Sequence, residues 1–141
     1  MNFIVDPRIS STCFILDDWP VSRVFLKNNA NYPWLILVPR HMNIRDIDEL
    51  PQTVQHMLMH EITALSSLVK TYFKPDKLNV GTLGNIVSQL HIHVVARFTT
   101  DDLWPHGIWQ AAQTTMPYQQ LMIHAFLAEL RSRVQAAVFI E

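Results

Sequence analysis

Runs of apolar residues predict four strands in the chain. The stretch from Trp34 to Val38 is apolar without interruption, as is typical of a buried strand, and Pro39 ends it. Weaker alternation and apolar runs between turn residues predict the other three strands, at 21–27, 78–83 and 87–98. We expect the last two to pair as a hairpin joined near Gly84 and Asn85. The segment 6–18 predicts a short helical turn and a loop.

Two stripes of apolar residues at helical spacing predict two main helices. Pro51 suits the first position of a helix, and Pro75 stops that helix about six turns later. Apolar residues recur every three or four positions between them, at Val54, Leu58, Ile62, Leu65, Val69 and Phe73. Pro117 opens the second helix, whose stripe is Met122, Phe126, Leu130, Val134 and Ala137. Because these elements leave too few crossovers for a parallel sheet, the predicted fold class is α+β.

The composition fits one globular domain over residues 1–141. The chain has 141 residues and three glycines, and it contains no linker, repeat or block of charge at which a boundary would fall. Hydrophobic residues make up 49% of the chain, which favours an oligomer that hides part of the surface. The net charge of −1 argues against a protein that coats nucleic acid, because such a protein has a basic footprint. It does not exclude the binding of a single nucleotide.

Cysteine content and hydropathy favour the cytoplasm. Cys13 is the only cysteine, so an internal disulfide is impossible and a reducing compartment fits best. The first residues lack a basic region followed by a long apolar run, so they do not form a secretory signal. No uncharged stretch approaches the ~20 residues that span a membrane. We therefore expect a cytoplasmic protein with no membrane partner.

Two histidines in the second half of the chain are the clearest candidates for chemistry. In a strand, Gln89, His91 and His93 project to one face, while the apolar residues that alternate with them project to the other. Burying such a polar face without a ligand costs about 1–3 kcal/mol for each group left unpaired. Histidine titrates near neutral pH and can act as nucleophile, base or acid. The pattern predicts a site that grips or attacks a phosphate, and a face of satisfied polar side chains is the alternative.

A metal site is a further interpretation of the histidines. Two histidines a strand step apart can share an ion, with a third ligand from elsewhere in the chain. His56 and His60 lie four apart on the first predicted helix, with Glu61 beside them. This glutamate follows the second histidine, whereas metalloproteases have it after the first. Structural or surface roles are therefore favoured for this pair, and we predict no metal.

The run Gln89–Val95 resembles the signature of the histidine triad (HIT) family, in which three histidines alternate with apolar residues. Gln89 stands at the first of the three histidines. Three further segments resemble other family motifs in the same order: the strand and Pro-Lys/Arg turn at Leu35–His41, the approach to the triad at Gly84–Val87, and the Trp-Pro segment of some bacterial members at Trp104–Trp109. The likeness covers residues 21–110.

The resemblance implies a fold, a partner and a mechanism. HIT proteins have an antiparallel sheet flanked by two main helices and commonly form homodimers. Their small-molecule partner is a nucleotide or dinucleotide, and no cofactor is needed. The resemblance implies that His91 attacks the α-phosphorus of a dinucleoside polyphosphate or nucleoside phosphoramidate, and that water then hydrolyses the covalent nucleotidyl-histidine. His93 and the backbone N–H groups near Gly84 and Asn85 stabilise the charge on the phosphoryl oxygens.

The chain departs from the family in and just before the motif. Gln89 cannot relay a proton as imidazole does, but its main-chain carbonyl can hold His91 in the correct tautomer, so Gln89 counts among the catalytic residues. Ile86 replaces the usual Ser/Thr hydroxyl that serves the leaving group, and Ser88 is the nearest substitute. Asn85 preserves the amide of the family's glutamine. These departures keep open a second function, a nucleotide-binding regulatory module without catalysis.

Further nucleotide contacts are expected outside the motif. Asn28 and Asn29 lie where the family places an Asp or Asn that binds the ribose hydroxyls, although their place in a turn is a sufficient local reason for them. Arg97 is a candidate for neutralising phosphate, as is Arg40, although arginine at a strand end is usually only solvated. The tryptophans that bound segment 104–109 either cap the core or contact a base.

Overall fold

Five strands form a single antiparallel sheet in the computed structural model, which describes residues 2–109 and 114–139. In chain order they are β1 Cys13–Asp18, β2 Ser22–Lys27, β3 Trp34–Pro39, β4 Lys77–Gly81 and β5 Ile92–Arg97. Their spatial order is β1-β2-β3-β5-β4, and every neighbouring pair is antiparallel. The α+β class and the antiparallel sheet expected from the sequence are confirmed.

The helices lie near the start, the middle and the end of the chain. They are the short α1 Pro7–Ser10 and the long α2 Gln52–Phe73 and α3 Gln120–Gln135, and a 3₁₀ turn spans Ile47–Glu49. α2 follows the predicted apolar stripe and ends where the backbone of Lys74 turns left-handed, with φ of 53°. None of the helices in the described residues has both the length and the apolar character that crossing a membrane requires.

The two faces of the sheet are covered differently. The long helices cover one face, where Leu65 of α2 and Leu130 of α3 pack in a core with Leu37 of β3 and other buried side chains. The opposite face carries a smaller cluster, which includes Trp34 and Ile36 from β3 and is covered by short segments rather than by a helical layer. Those segments contribute Val5, Ile9 and Ile108. The second face is therefore the one with room for a site.

The loop predicted within segment 6–18 is wrong, because residues Cys13–Asp18 form β1. This strand lies at the edge of the sheet and pairs with β2. Its register shifts between Ile15 and Asp17, where a bulge interrupts the regular pairing. A bulge breaks the alternation of side chains along a strand. The sequence of β1 therefore lacks the period of two that would have revealed it.

The predicted hairpin is only partly correct. β4 and β5 pair as expected, but β5 begins at Ile92, and residues 82–91 form a loop in place of a tight turn near Gly84 and Asn85. The polar groups of this loop bond to other segments: the Leu90 N–H donates to the carbonyl of Ile44, and the Gln89 side chain bonds to the N-terminal segment. Gln89 therefore does not alternate with the histidines on one strand.

The last helix begins later than predicted. α3 starts at Gln120, with Gln119 as its N-cap, because residues 114–119 form no regular structure and the Tyr118 N–H donates to the side chain of Asn28. The buried residues are Ile123, Leu127, Leu130 and Val134, while Met122 is 67% exposed. The first half of the buried stripe thus lies one residue later than predicted, at Ile123 and Leu127. The predicted and the observed residues both fit helical spacing, so periodicity alone did not separate them.

Candidate active site

His91 and His93 lie side by side on the less covered face of the sheet. His93 belongs to β5 and pairs across the sheet with Ile36, and His91 immediately precedes the strand. The centres of the two imidazole rings are 4.8 Å apart, and the planes cross at 74°. Each residue is only 7% exposed. The two rings are therefore neighbours, as the sequence predicted, although Gln89 lies outside the strand.

One nitrogen of His91 is occupied by the main chain. Its Nδ1 lies 2.7 Å from the carbonyl oxygen of Gln89. A carbonyl oxygen only accepts, so Nδ1 carries the hydrogen and, in the neutral ring, Nε2 keeps a lone pair. Burial lowers the pKa of His91, and the bond to Gln89 opposes that effect only in part. The ring is therefore neutral near pH 7 and can act as a nucleophile through Nε2.

His93 is held by a tryptophan. The indole N–H of Trp34 donates to Nδ1 of His93 at 3.0 Å, and both side chains are buried. Burial, together with the neighbouring His91 and the charge of Lys27, lowers the pKa of His93 to about 3. On the other side, the ring of Trp109 lies 5.8 Å from that of His93. From the sequence, Trp34 was predicted only to be an apolar strand residue. Its hydrogen bond to His93 depends on the pairing of β3 with β5.

Gln89 has two separate functions. Its main-chain oxygen makes the contact with His91 that the sequence predicts for this position. Its side chain binds the N-terminal segment twice, because Oε1 accepts from the Asp6 N–H at 2.7 Å and Nε2 donates to the Ile4 carbonyl at 2.9 Å. Arg8 adds a third connection by donating to the carbonyl of Ile86. The side chain at the family's first histidine position is therefore structural.

The loop between β4 and His91 carries three of the predicted nucleotide-binding residues. Gly84 has φ of 75°, a left-handed conformation that favours glycine, and Asn85 and Ser88 are exposed after it. The side chain of Ile86 is 85% exposed and offers no hydroxyl. The loop therefore carries the exposed amide of Asn85 a few residues before the histidine motif.

The turn asparagines secure the segment that leads into α3. Oδ1 of Asn28 accepts from the Tyr118 N–H at 2.9 Å, and Oδ1 of Asn29 accepts from the N–H groups of Asn31 and Met116. Asn29 is 1% exposed. The ribose-binding prediction for Asn29 is corrected accordingly, because its side-chain oxygen is buried and engaged with main chain. The bonds support the local role that the turn itself suggested.

The phosphate-binding prediction for Arg97 is also corrected. This guanidinium is 1% exposed, donates to Asp101 and Asn79 at 2.9 Å each, and packs against the rings of Tyr32 and Trp104. A cation enclosed in this way stabilises the fold and is not free to meet a ligand. Trp104 is accordingly part of the packing.

Arg40 is a structural residue too, at another part of the sheet. Its Nη1 lies 3.7 Å from a carboxylate oxygen of Asp18, and its Nη2 donates to the carbonyl of Pro20. These contacts fasten the residue that follows β3 to the connection between β1 and β2. Neither predicted arginine therefore supplies positive charge to the histidine pair.

Lys27 supplies that charge, and the sequence did not reveal it. Its Nζ donates to Oγ1 of Thr12 at 3.0 Å and lies 5.6 Å from the centre of the Trp34 ring. Its charge contributes to the lowered pKa of both His91 and His93. An ammonium has three donors, and Thr12 takes one of them. Lys27 matches no motif, and only the alternation of β2 places it on this face of the sheet.

Metal ligation receives no support from the side-chain arrangement. In residues 2–109 and 114–139, no group of three or more His, Cys, Asp or Glu side chains is placed to hold an ion. His56 and His60 are exposed on α2, in line with the surface role expected of them. Glu61 is buried and accepts from the N–H groups of Val21 and Ser22, so it anchors α2 to the chain that enters β2.

Comparison with known proteins identifies the fold family. A family model described as HIT domain matches residues 8–100. A histidine triad protein from Marinobacter aquaeolei shares 35% identity and a TM-score of 0.92, over 98% of this chain and 100% of that one. The corresponding values for a histidine triad protein from Bradyrhizobium japonicum are 35% and 0.89, over 95% and 99% of the two chains.

A third solved structure agrees with these two. A histidine triad protein from Sinorhizobium meliloti shares 32% identity and a TM-score of 0.87, over 93% of this chain and 96% of that one. Comparison with curated proteins finds no match. The family model covers well over half of the chain and includes both histidines of the site. The chain therefore belongs to the HIT family of histidine triad proteins, whose members generally bind nucleotides and often hydrolyse them or transfer nucleotidyl groups.

Proposed function

We propose that this protein hydrolyses or transfers the nucleotidyl group of a nucleotide through a covalent bond between His91 and the α-phosphorus. The observation that carries the proposal is the contact of 2.7 Å between His91 Nδ1 and the Gln89 carbonyl. It directs the lone pair of a buried, neutral imidazole to Nε2, where a nucleophile needs it.

The reaction consists of two displacements. In the first, the Nε2 lone pair of His91 forms a bond to the α-phosphorus while the bond to the leaving group breaks, and the leaving group takes that electron pair. In the second, the oxygen of water attacks the same phosphorus, the phosphorus–nitrogen bond breaks, and its electron pair returns to Nε2. A proton of the water passes to solvent. The product is a nucleoside monophosphate, or a transferred nucleotidyl group when another acceptor replaces water.

Charge on the phosphoryl oxygens is stabilised by groups around the pair. His93 lies beside the attacking ring, and the loop at Gly84 and Asn85 offers main-chain N–H groups. Lys27 provides the positive charge that the predicted arginines do not. Asn28 and Ser88 remain proposed nucleotide contacts. The ring of Trp109, 5.8 Å from His93, forms a wall of the site.

The loop also bears on the class of leaving group. Ile86 presents no hydroxyl that could protonate a departing atom. An amine must be protonated before it leaves phosphorus, whereas a phosphate carries its charge near pH 7 without a further proton. Between the two substrate classes considered, we therefore expect dinucleoside polyphosphates to be cleaved faster than nucleoside phosphoramidates.

A second candidate, a nucleotide-binding module without turnover, is favoured by the same absent hydroxyl and by the structural use of the Gln89 side chain. A panel of adenosine and guanosine polyphosphates and phosphoramidates distinguishes the two, with release of nucleoside monophosphate and equilibrium binding measured in parallel. Multiple turnovers that are lost in His91→Asn support the enzyme. Binding without release from any substrate supports the module and contradicts the enzyme.

A further inference from the structure

The contact between Trp34 and His93 restricts the chemistry of the second histidine. An indole nitrogen donates a hydrogen bond and cannot accept one. Because Trp34 Nε1 lies 3.0 Å from His93 Nδ1, that imidazole nitrogen must be the acceptor. A neutral histidine whose Nδ1 accepts carries its hydrogen on Nε2, and a doubly protonated ring has no acceptor at all. The bond is therefore compatible with one protonation state out of three.

We infer that Trp34 is a positioning residue that holds His93 in the tautomer with hydrogen on Nε2. His93 thereby becomes a neutral hydrogen-bond donor to the substrate and does not act as a general acid. Trp34 lies on β3, and both it and His93 are buried, so water has little access to compete for the indole N–H. The catalytic consequence rests on the proposed function, whereas the tautomer itself does not.

The two histidines are fixed in opposite tautomers by two different elements. The Gln89 carbonyl places the hydrogen of His91 on Nδ1, and the Trp34 indole places that of His93 on Nε2. With ring centres 4.8 Å apart, one ring offers a lone pair at Nε2 and its neighbour offers an N–H at Nε2. Attack on phosphorus and a hydrogen bond to one of its oxygens require this combination. Two rings in the same tautomer would supply only one of these functions.

The charged groups near His93 act in the same direction. Burial opposes a positive charge on His93, and the neighbouring His91 and the charge of Lys27 oppose it further. The indole rings of Trp34 and Trp109, from other parts of the chain, have centres 5.6 Å and 5.8 Å from that of His93, and both are uncharged. Among residues 2–109 and 114–139, no carboxylate contributes to the lowered pKa of His93. The neutral donor form is therefore favoured by the surroundings as well as by the hydrogen bond.

Trp34→Phe tests the inference because it removes the N–H and keeps an aromatic ring. The full chain, labelled with ¹⁵N-histidine, is examined by multiple-bond ¹H–¹⁵N correlation, which separates protonated from unprotonated ring nitrogens. In the parent protein we expect His93 to show a protonated Nε2 and an unprotonated Nδ1 at pH 7. In Trp34→Phe we expect a mixture of tautomers, a kcat about tenfold lower, and a KM that changes less than twofold.

Trp19→Phe is the matched control. Trp19 is also a buried indole, and its N–H donates to the Val134 carbonyl at 3.1 Å in the core on the other face of the sheet. This variant should lose similar stability and leave both the His93 spectrum and kcat unchanged. A hydrogen on Nδ1 of His93 in the parent protein overturns the inference, as does an unchanged spectrum in Trp34→Phe. If Trp34→Phe does not fold, the parent spectrum still tests the tautomer that the Trp34 contact requires, and it does so whether or not the protein turns over a nucleotide.

Discussion

The main-chain oxygen of Gln89 lies 2.7 Å from Nδ1 of His91, while the side chain of the same glutamine holds the N-terminal segment. The contact to the His91 ring is therefore made by the main chain and does not use the side chain of residue 89. This explains how a glutamine can stand at the first histidine of the motif without removing the contact that orients His91, the proposed nucleophile. A substitution of residue 89 can therefore remove the side-chain bonds to the N-terminal segment while the main-chain contact to His91 stays in place.

Gln89→Leu should reduce stability more than activity. The substitution removes both side-chain bonds to the N-terminal segment and leaves the main-chain carbonyl in place. We expect the free energy of unfolding to fall by about 1–3 kcal/mol and kcat to stay within about tenfold of the parent value. Denaturant unfolding and steady-state kinetics measure the two. Gln120→Leu, at an exposed position of α3, is the control and should change neither. A kcat that falls a thousandfold without unfolding would give the side chain a chemical role.

Acid should destabilise the protein through His93. The pKa of this residue is about 3 in the folded state and near 6.5 in the unfolded chain, so below pH 6.5 only the unfolded state takes up the proton. The unfolding free energy should therefore fall with decreasing pH, at most by about 1.4 kcal/mol per unit for this group. Denaturant unfolding at pH 7 and pH 5 measures the slope. His93→Gln is the control that isolates His93 from other titrating groups, and an equally steep slope in that variant would contradict the prediction.

Lys27→Met should weaken substrate binding while the fold persists. Methionine keeps the apolar stem of the side chain but removes the charge beside the two histidines. We expect KM for a dinucleoside polyphosphate to rise about tenfold and to lose most of its dependence on salt, since exposed charge interactions are screened. Arg23→Met is the matched control, because that arginine lies on the same strand and pairs with Asp18. An unchanged KM in Lys27→Met would remove Lys27 from the site.

A homodimer is expected from the apolar surface around β4. This strand lies at an edge of the sheet, and Val80 and Leu83 beside it are each 45% exposed. An edge strand with apolar neighbours is a surface that a second copy can cover. Light scattering at micromolar concentration should give about twice the 16.4 kDa of one chain. Val80→Lys should shift the mass towards the monomer, with Leu121→Lys on α3 as the control. A monomeric parent protein would contradict the prediction.

The sequence predicted the elements with the strongest patterns and failed where contacts distant in the chain decide the structure. β3 was evident from its uninterrupted apolar run, and α2 was evident from the helical period of its apolar stripe. β1 was not, because a bulge interrupts its alternation. The start of α3 was misplaced because the Tyr118 N–H bonds to the side chain of Asn28 and not within a helix.

The same distinction holds for the site. The histidine motif could be recognised because its residues are adjacent in the sequence, and the resemblance to the family implied the main-chain role of Gln89. The roles of Trp34 and Lys27 depend on strand pairing across the sheet, which no local pattern encodes. Arg97 was misinterpreted because its partners are not visible in the local sequence pattern. Its carboxylate partner lies in a turn, and its amide partner lies on the neighbouring strand.

The most direct test of the account is the mass of the protein during turnover. Protein and substrate are mixed under single-turnover conditions and quenched in denaturant at alkaline pH, because a phosphorus–nitrogen bond is labile in acid. We predict a transient species heavier by one nucleotidyl group, with the addition mapped by peptide sequencing to His91 and absent from His91→Ala. Release of nucleoside monophosphate with no such species, or with the group on another residue, would contradict covalent catalysis by His91.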